Sequence, residues 1–283
     1  MNTRSTAKRP GAAPGDNHVD FGAYIYKYPN PTATTGLVVL SLTAILLFAA
    51  SPLPAADGDS DDTPRFYDPV QREIEGWRVA IDPDLLQENR AEFAGEALKA
   101  LANHLQRIGY IVPEKQLAQL RTVRLWLELD NPVLEKMQYH PNRQWLVAHG
   151  HDPRLVKHVH IPRARLLLDR QTWAKHPYCV LHEMAHAYHD QVLGFDHRQI
   201  EAAFKNAEQA GSYEAVLLFT GERGVRHYGL TNPPEYFAES TESYFGVNDF
   251  YPFVRAELAE HDPRMFRLLQ KIWGPVDEKS ATK

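Results

Sequence analysis

The run His182-Glu183-Met184-Ala185-His186 constrains this chain more than any other stretch. On an α-helix, residues four apart share a face, displaced by about 6 Å along the axis. Two imidazoles so placed can converge on one metal ion. A glutamate directly after the first stands beside that ion rather than on it. A chain that uses the run this way must build a buried, rigid helix and still leave part of it open to a cleft. The competing reading is a core helix with two structural histidines, in a chain that has 14 histidines and 36 acidic residues.

The flanking residues predict a helix over 178–193. Pro177 suits a first turn, where its missing N–H costs nothing. Val180, Leu181, Met184, Ala185, Tyr188 and Val192 recur at three- and four-residue spacing, which makes an apolar face. Gly194 stands where a C-terminal glycine belongs. His189 lies about 10 Å beyond His182 along the axis and is expected outside the ligand set, behind it or at the surface. Cys179 is the only cysteine, so no intrachain disulfide forms, and it is expected to be buried packing.

A catalytic zinc usually keeps three protein ligands and an open position. The downstream candidate lies in the stretch 228–239. Asn232 can cap a helix with Pro233 at its first position. Glu235, Glu239 and Glu242 then share a face, while Phe237, Tyr244 and Phe245 occupy the others. Three carboxylates on such a helix are costly unless positive charge lies opposite. Glu235 has a second reading, because Asn232-x-x-Glu235 is also a capping-box spacing. Glu239 and Glu242 would then be a solvated face. The upstream histidine pair favours the ligand reading.

His182 to His186, followed by Tyr228-Gly229-x-Thr231-Asn232-x-x-Glu235-x-Phe237-Ala238-Glu239, resembles the catalytic domain of the anthrax lethal factor-like metallopeptidases. These are gluzincins, zinc peptidases with two histidines and one glutamate on the metal. The likeness spans roughly residues 178 to 245. It implies Zn2+ held by His182, His186 and Glu235, with Glu183 as general base. It also implies that Tyr228 stabilises the oxyanion and that Glu239 orients a ligand histidine. His227, beside Tyr228, is the rival oxyanion donor. The segments 139–146 and 248–253 resemble a group of exported bacterial proteins, a likeness that carries no activity with it.

The rest of the chain predicts an α+β fold: a small mixed sheet followed by a mostly helical half, the order expected of a zincin-like metallopeptidase domain over 65–283. Strands are expected at 77–81, 123–129 and 158–161. Helices are expected at 85–108, 163–173, 178–193, 198–209, 233–245, 252–260 and 263–272. The strand overlying the metal helix is expected within 121–130 or 158–161. Tyr139, His140 and Trp145 are expected to line the cleft. The pairs His149/His151 and His158/His160 are either a second metal site or surface groups.

Residues 1–35 read as a disordered segment and 57–64 as an acidic linker. The segment 36–56 reads as a signal peptide or signal-anchor helix. Basic residues precede it and four aspartates follow it, which places the domain beyond the membrane. The expected location is periplasmic, extracellular, or anchored on the outer side of the cytoplasmic membrane by a single pass through 36–56. A net charge of −5 gives no electrostatic case for nucleic acid. The expected partner is a protein or peptide substrate, and the expected activity is zinc-dependent endopeptidase hydrolysis. Two alternatives are a non-catalytic envelope binding protein on the same fold and a zinc amidase acting on a non-peptide substrate.

Overall fold

β1 (Val70–Ile74) and β2 (Trp77–Ile81) open the fold as an antiparallel hairpin. Its two-residue turn holds Glu75 at φ 50° and Gly76 at φ 85°. A tight hairpin of this hand needs positive φ at both positions, and glycine meets that need without strain. The computed structural model describes residues 66–276. The segments 1–35, 36–56 and 57–64 lie outside the described residues. Among the described residues, no helix is long and apolar enough to cross a membrane.

After the hairpin come α1 (Ala91–Ile111), α2 (Glu114–Leu120), β3 (Arg124–Leu127), β4 (Gln138–Tyr139), α3 (Arg143–Ala148) and β5 (His158–Ile161). The sheet order is β1-β2-β3-β5-β4. The inner pairs β2/β3 and β3/β5 are parallel, while the outer pairs β1/β2 and β4/β5 are antiparallel. Alternation then sorts the side chains. Val79, Ile81, Leu125, Leu127, Val159 and Ile161 face the main core together with Ala94, Leu101, Leu105 and Ile108 of α1. Ala80 and Trp126 face the other side, against Leu146 and Leu155.

The helical half holds α4 (Arg170–Lys175), α5 (Cys179–Tyr188), α6 (Arg198–Ala210), α7 (Pro233–Phe245), α8 (Arg255–His261) and α9 (Pro263–Trp273). A short hairpin of β6 (Val216–Leu217) and β7 (Arg223–Val225) precedes α7 and has no signal in the sequence reading. The helix expected over 163–173 divides at Asp169. That side chain accepts from Gln171 N and Thr172 N, so it starts α4 after a short turn at Ala164–Leu168. The fold is thus α+β with a small mixed sheet, as composition and periodicity predict.

Of the two segments expected over the motif helix, 158–161 does pack against α5, as β5, but it is not the edge of the sheet. β3 is the middle of the sheet, and β5 lies between β3 and β4. The edge that meets α5 is β4, two residues within the segment 131–142, whose pattern is irregular.

Candidate metal centre

Nine of the ten residues of α5 are buried, and the exception is Glu183. Val180, Leu181, Met184, Ala185 and Ala187 are fully buried. Burying an apolar side chain of Val or Leu size stabilises by about 1.5–3 kcal/mol, which anchors the helix in the core. The helix does not run on to 193 as a regular α-helix. Its last turn, His189–Leu193, widens to a π-turn before Gly194 at φ 83°. Such turns are frequent at functional sites. His189 is neither at the surface nor in a group compact enough to hold an ion. It is fully buried with rings of Phe195 and Phe237 each 5.1 Å away. Burial lowers its pKa to about 3. Cys179 is buried as expected, and burial pushes its thiol up to about 12.

α7 crosses against α5. Asn232 accepts from Glu235 N at 2.8 Å and Pro233 follows it, so the helix starts where the sequence predicts. The cap and the ligand readings of Glu235 are not exclusive. Its backbone N–H goes to Asn232, while its carboxylate turns to the histidines. Every residue from Glu235 to Phe245 is buried, so Glu239 and Glu242 are not a solvated face.

The structure brings three of the expected residues together. His182 Nε2 lies 3.1 Å from His186 Nε2 and 3.1 Å from Glu235 Oε2. His186 Nε2 lies 3.3 Å from the same oxygen. Tetrahedral zinc with bonds of about 2.0–2.1 Å spaces its ligand atoms by about 3.3 Å. The donor set of two imidazole nitrogens and one carboxylate oxygen also suits that ion. The residues therefore fit a zinc ion in both spacing and chemistry. Among the described residues, the groups compact enough to hold an ion are this one and His176/His182/Glu242.

The electrostatics agree with the distances. Burial alone would raise the pKa of Glu235, but His186 and His182 outweigh it and hold the carboxylate well below its usual range. Burial would likewise lower His182. Glu235 on one side and Glu242 on the other instead hold it well above the ordinary value.

Glu183 Oε2 accepts from Tyr139 N at 2.9 Å, which ties the edge strand to the carboxylate beside the metal group. Burial raises its pKa, and the two histidines oppose the rise. Tyr228 opens the turn that leads into α7, and Thr231 Oγ1 donates to its carbonyl at 2.6 Å. Burial and then Glu235 push its phenol up, so it stays protonated at neutral pH. His227 has a different place. Its Nδ1 accepts from Gly229 N at 2.9 Å, and its ring packs near Tyr213 and Phe250. Burial lowers its pKa to about 3.

One contact implied by the resemblance falls to a different residue. The partner of His182 Nδ1 is Glu242 at 2.6 Å, while Glu239 stands off at 3.5 Å. Glu239 Oε2 accepts instead from Asn248 Nδ2 at 3.0 Å. Burial and the neighbouring Glu242 raise its pKa well above the usual range.

Of the residues expected in the cleft, Tyr139 meets Glu183 as described. His140 turns to the other face of the sheet, where its Nε2 lies 3.0 Å from His160 Nδ1. Trp145 lies between His149 and His151, with centroids 4.1 and 5.4 Å away. None of the histidines at 149, 151, 158 and 160 belongs to a metal-holding group among the described residues. A cavity of about 820 Å³ lined by Arg78, Arg124, Trp126 and Arg154 also lies along that face, and it shares no residue with the metal group. No protein-family profile, curated protein or solved structure matches the chain.

Proposed function

We propose that the chain is a zinc-dependent metallopeptidase of the gluzincin type on a zincin-like fold. The observation that carries this reading is the triangle of His182 Nε2, His186 Nε2 and Glu235 Oε2, with the least buried residue of α5, Glu183, beside it. A structural histidine pair has no need of a buried carboxylate equidistant from both rings.

His182, His186 and Glu235 would hold the zinc ion. When bound, zinc supplies Lewis acidity, polarising a carbonyl and lowering the pKa of a water to about 7. Glu183 accepts that water's proton and passes it to the leaving amine. Its hydrogen bond to Tyr139 N holds the carboxylate in place. The Tyr228 phenol, which retains its proton, donates to the developing oxyanion. An extended peptide would lie along the edge strand β4, beside Glu183. A placement beyond the membrane rests on the apolar segment 36–56 and the charges around it.

The test is cleavage of an unstructured protein and a mixed peptide library by the purified chain, with and without a chelator. Chelator-sensitive cleavage at internal peptide bonds, absent in Glu183→Gln, is expected. Zinc binding without cleavage of any substrate would favour the binding-protein alternative, and hydrolysis of non-peptide amides alone would favour the amidase.

A further inference from the structure

The carboxylate that braces His182 is itself braced. Glu242 is fully buried and uses its two oxygens on two different imidazoles. Oε1 lies 2.6 Å from His182 Nδ1, and Oε2 lies 2.8 Å from His176 Nε2. His176 closes α4, three residues before α5 begins. Its ring stands edge-on to that of His182, with centroids 5.7 Å apart. The turn between the two helices brings it there.

Glu242 thus meets His182 in a hydrogen bond and His176 as an ion pair. Burial raises the pKa of Asp249, and burial with Glu242 raises that of Glu239. Lys175 Nζ is 3.9 Å from Asp249. Glu242 is the ionised member, held low against burial by His176 and His182. Burial would lower His176, but Glu242 reverses this and raises it to about 9.

His176, His182 and Glu242 are also compact enough to hold an ion. Two points argue for a clamp instead. At 2.6 Å, His182 Nδ1 and Glu242 Oε1 are closer than the roughly 3.3 Å at which one zinc ion spaces its ligand atoms, and at the short end of a charge-assisted hydrogen bond. A second ion on Nδ1 would also require the His182 ring, already facing the first set through Nε2, to lose both its protons.

We infer that His176 is a positioning residue: it fixes Glu242, and Glu242 in turn fixes the ring orientation and tautomer of His182. The inference rests on the reading of His182 as a metal ligand. Partners that hold a ligand histidine by its second nitrogen typically contribute 10–100-fold to metal affinity. His176 stands one step further out, so the lower end of that range, about 10-fold, is expected.

The test is zinc affinity of the full chain, measured by competition with a chromophoric chelator. The variants are His176→Leu, His176→Gln, Glu242→Gln and the His176→Leu/Glu242→Gln double variant. His176→Leu should weaken zinc binding about 10-fold. His176→Gln should recover most of the loss, since its amide can still donate to Glu242. In the Glu242→Gln background, His176→Leu should add little. A merely structural role would give neither the rescue nor the non-additivity. Wild-type affinity in His176→Leu, or effects that add in the double variant, overturns the inference. If His176→Leu does not fold, His176→Gln decides in its place when set against His176→Asn, which is too short to reach Glu242. Gln near wild type with Asn about 10-fold weaker supports the clamp, and equal affinities overturn it. A wild-type chain that binds no zinc refutes the metallopeptidase reading itself, and that outcome is distinct from all of these.

Discussion

The backbone N–H of Tyr139 donates to Glu183 Oε2 at 2.9 Å, so the edge of the sheet and the carboxylate beside the metal group are joined by one hydrogen bond. Through it the main chain of β4, two residues long, touches the proposed chemistry. The neighbouring His140 directs both its N–H and its carbonyl to the β5 side. Tyr139 therefore directs its own away from β5, as antiparallel alternation requires.

Tyr139→Pro should remove that donor without breaking the sheet, because proline is tolerated at an edge position whose N–H is not in the ladder. A hydrogen bond to a charged group contributes about 1.5–3 kcal/mol. Turnover should fall by about 10-fold or more, with zinc retained. The N–H favours the ionised form of Glu183, so its loss raises that pKa, and the acid limb of the pH–rate profile should move to higher pH. Tyr139→Ala keeps the N–H and serves as control. Equal profiles for the two variants would remove the bond from the mechanism.

Gly246 closes α7 directly against Tyr178, the residue that starts α5. A Cβ at 246 would lie 2.1 Å from the Tyr178 ring. Gly246→Ala must displace the Tyr178 ring or part the two helix ends, and overpacking of this kind costs about 1–3 kcal/mol. Thermal melting should show a lower Tm, and adding Tyr178→Ala should recover part of the loss. Additive effects in the double variant would place the strain elsewhere.

Buried histidines, His104, His189 and His227 among them, weaken the fold at acid pH. Burial lowers His104 to about 4, and His189 and His227 to about 3. Each stays neutral in the folded chain and takes up a proton on unfolding below about 6.5. The unfolded state thus binds more protons, so stability rises with pH across this window. It is complete above about 6.5 and is lost as pH falls toward 4 and then 3, by up to about 1.4 kcal/mol per pH unit for each group. Denaturant melts at pH 7, 6 and 5 should show the decline, and His189→Met should flatten it.

The two helices that carry the site were legible because their apolar spacing is periodic, and α7 is also capped. Asn232 and Pro233 fix the start of α7 from local chemistry alone. The edge strand was not legible, because Gln138 and Tyr139 are a strand only through their pairing with His160 and Val159. The exchange of Glu239 for Glu242 has a similar origin. Both lie on the face that carries Glu235, and which of them reaches His182 depends on how α7 is rotated against α5. His176 lies outside both motifs and is brought in by the turn between α4 and α5. The widening of the helix at His189 leaves no mark in the apolar spacing.

Metal content tests the central claim most directly. Elemental analysis of the purified full chain should find one equivalent of zinc in the wild type and in Glu183→Gln. His182→Ala and Glu235→Ala should each be largely depleted, because each removes one corner of the triangle at His182, His186 and Glu235. Full zinc occupancy in Glu235→Ala would contradict the account and leave that residue with only its backbone contact to Asn232.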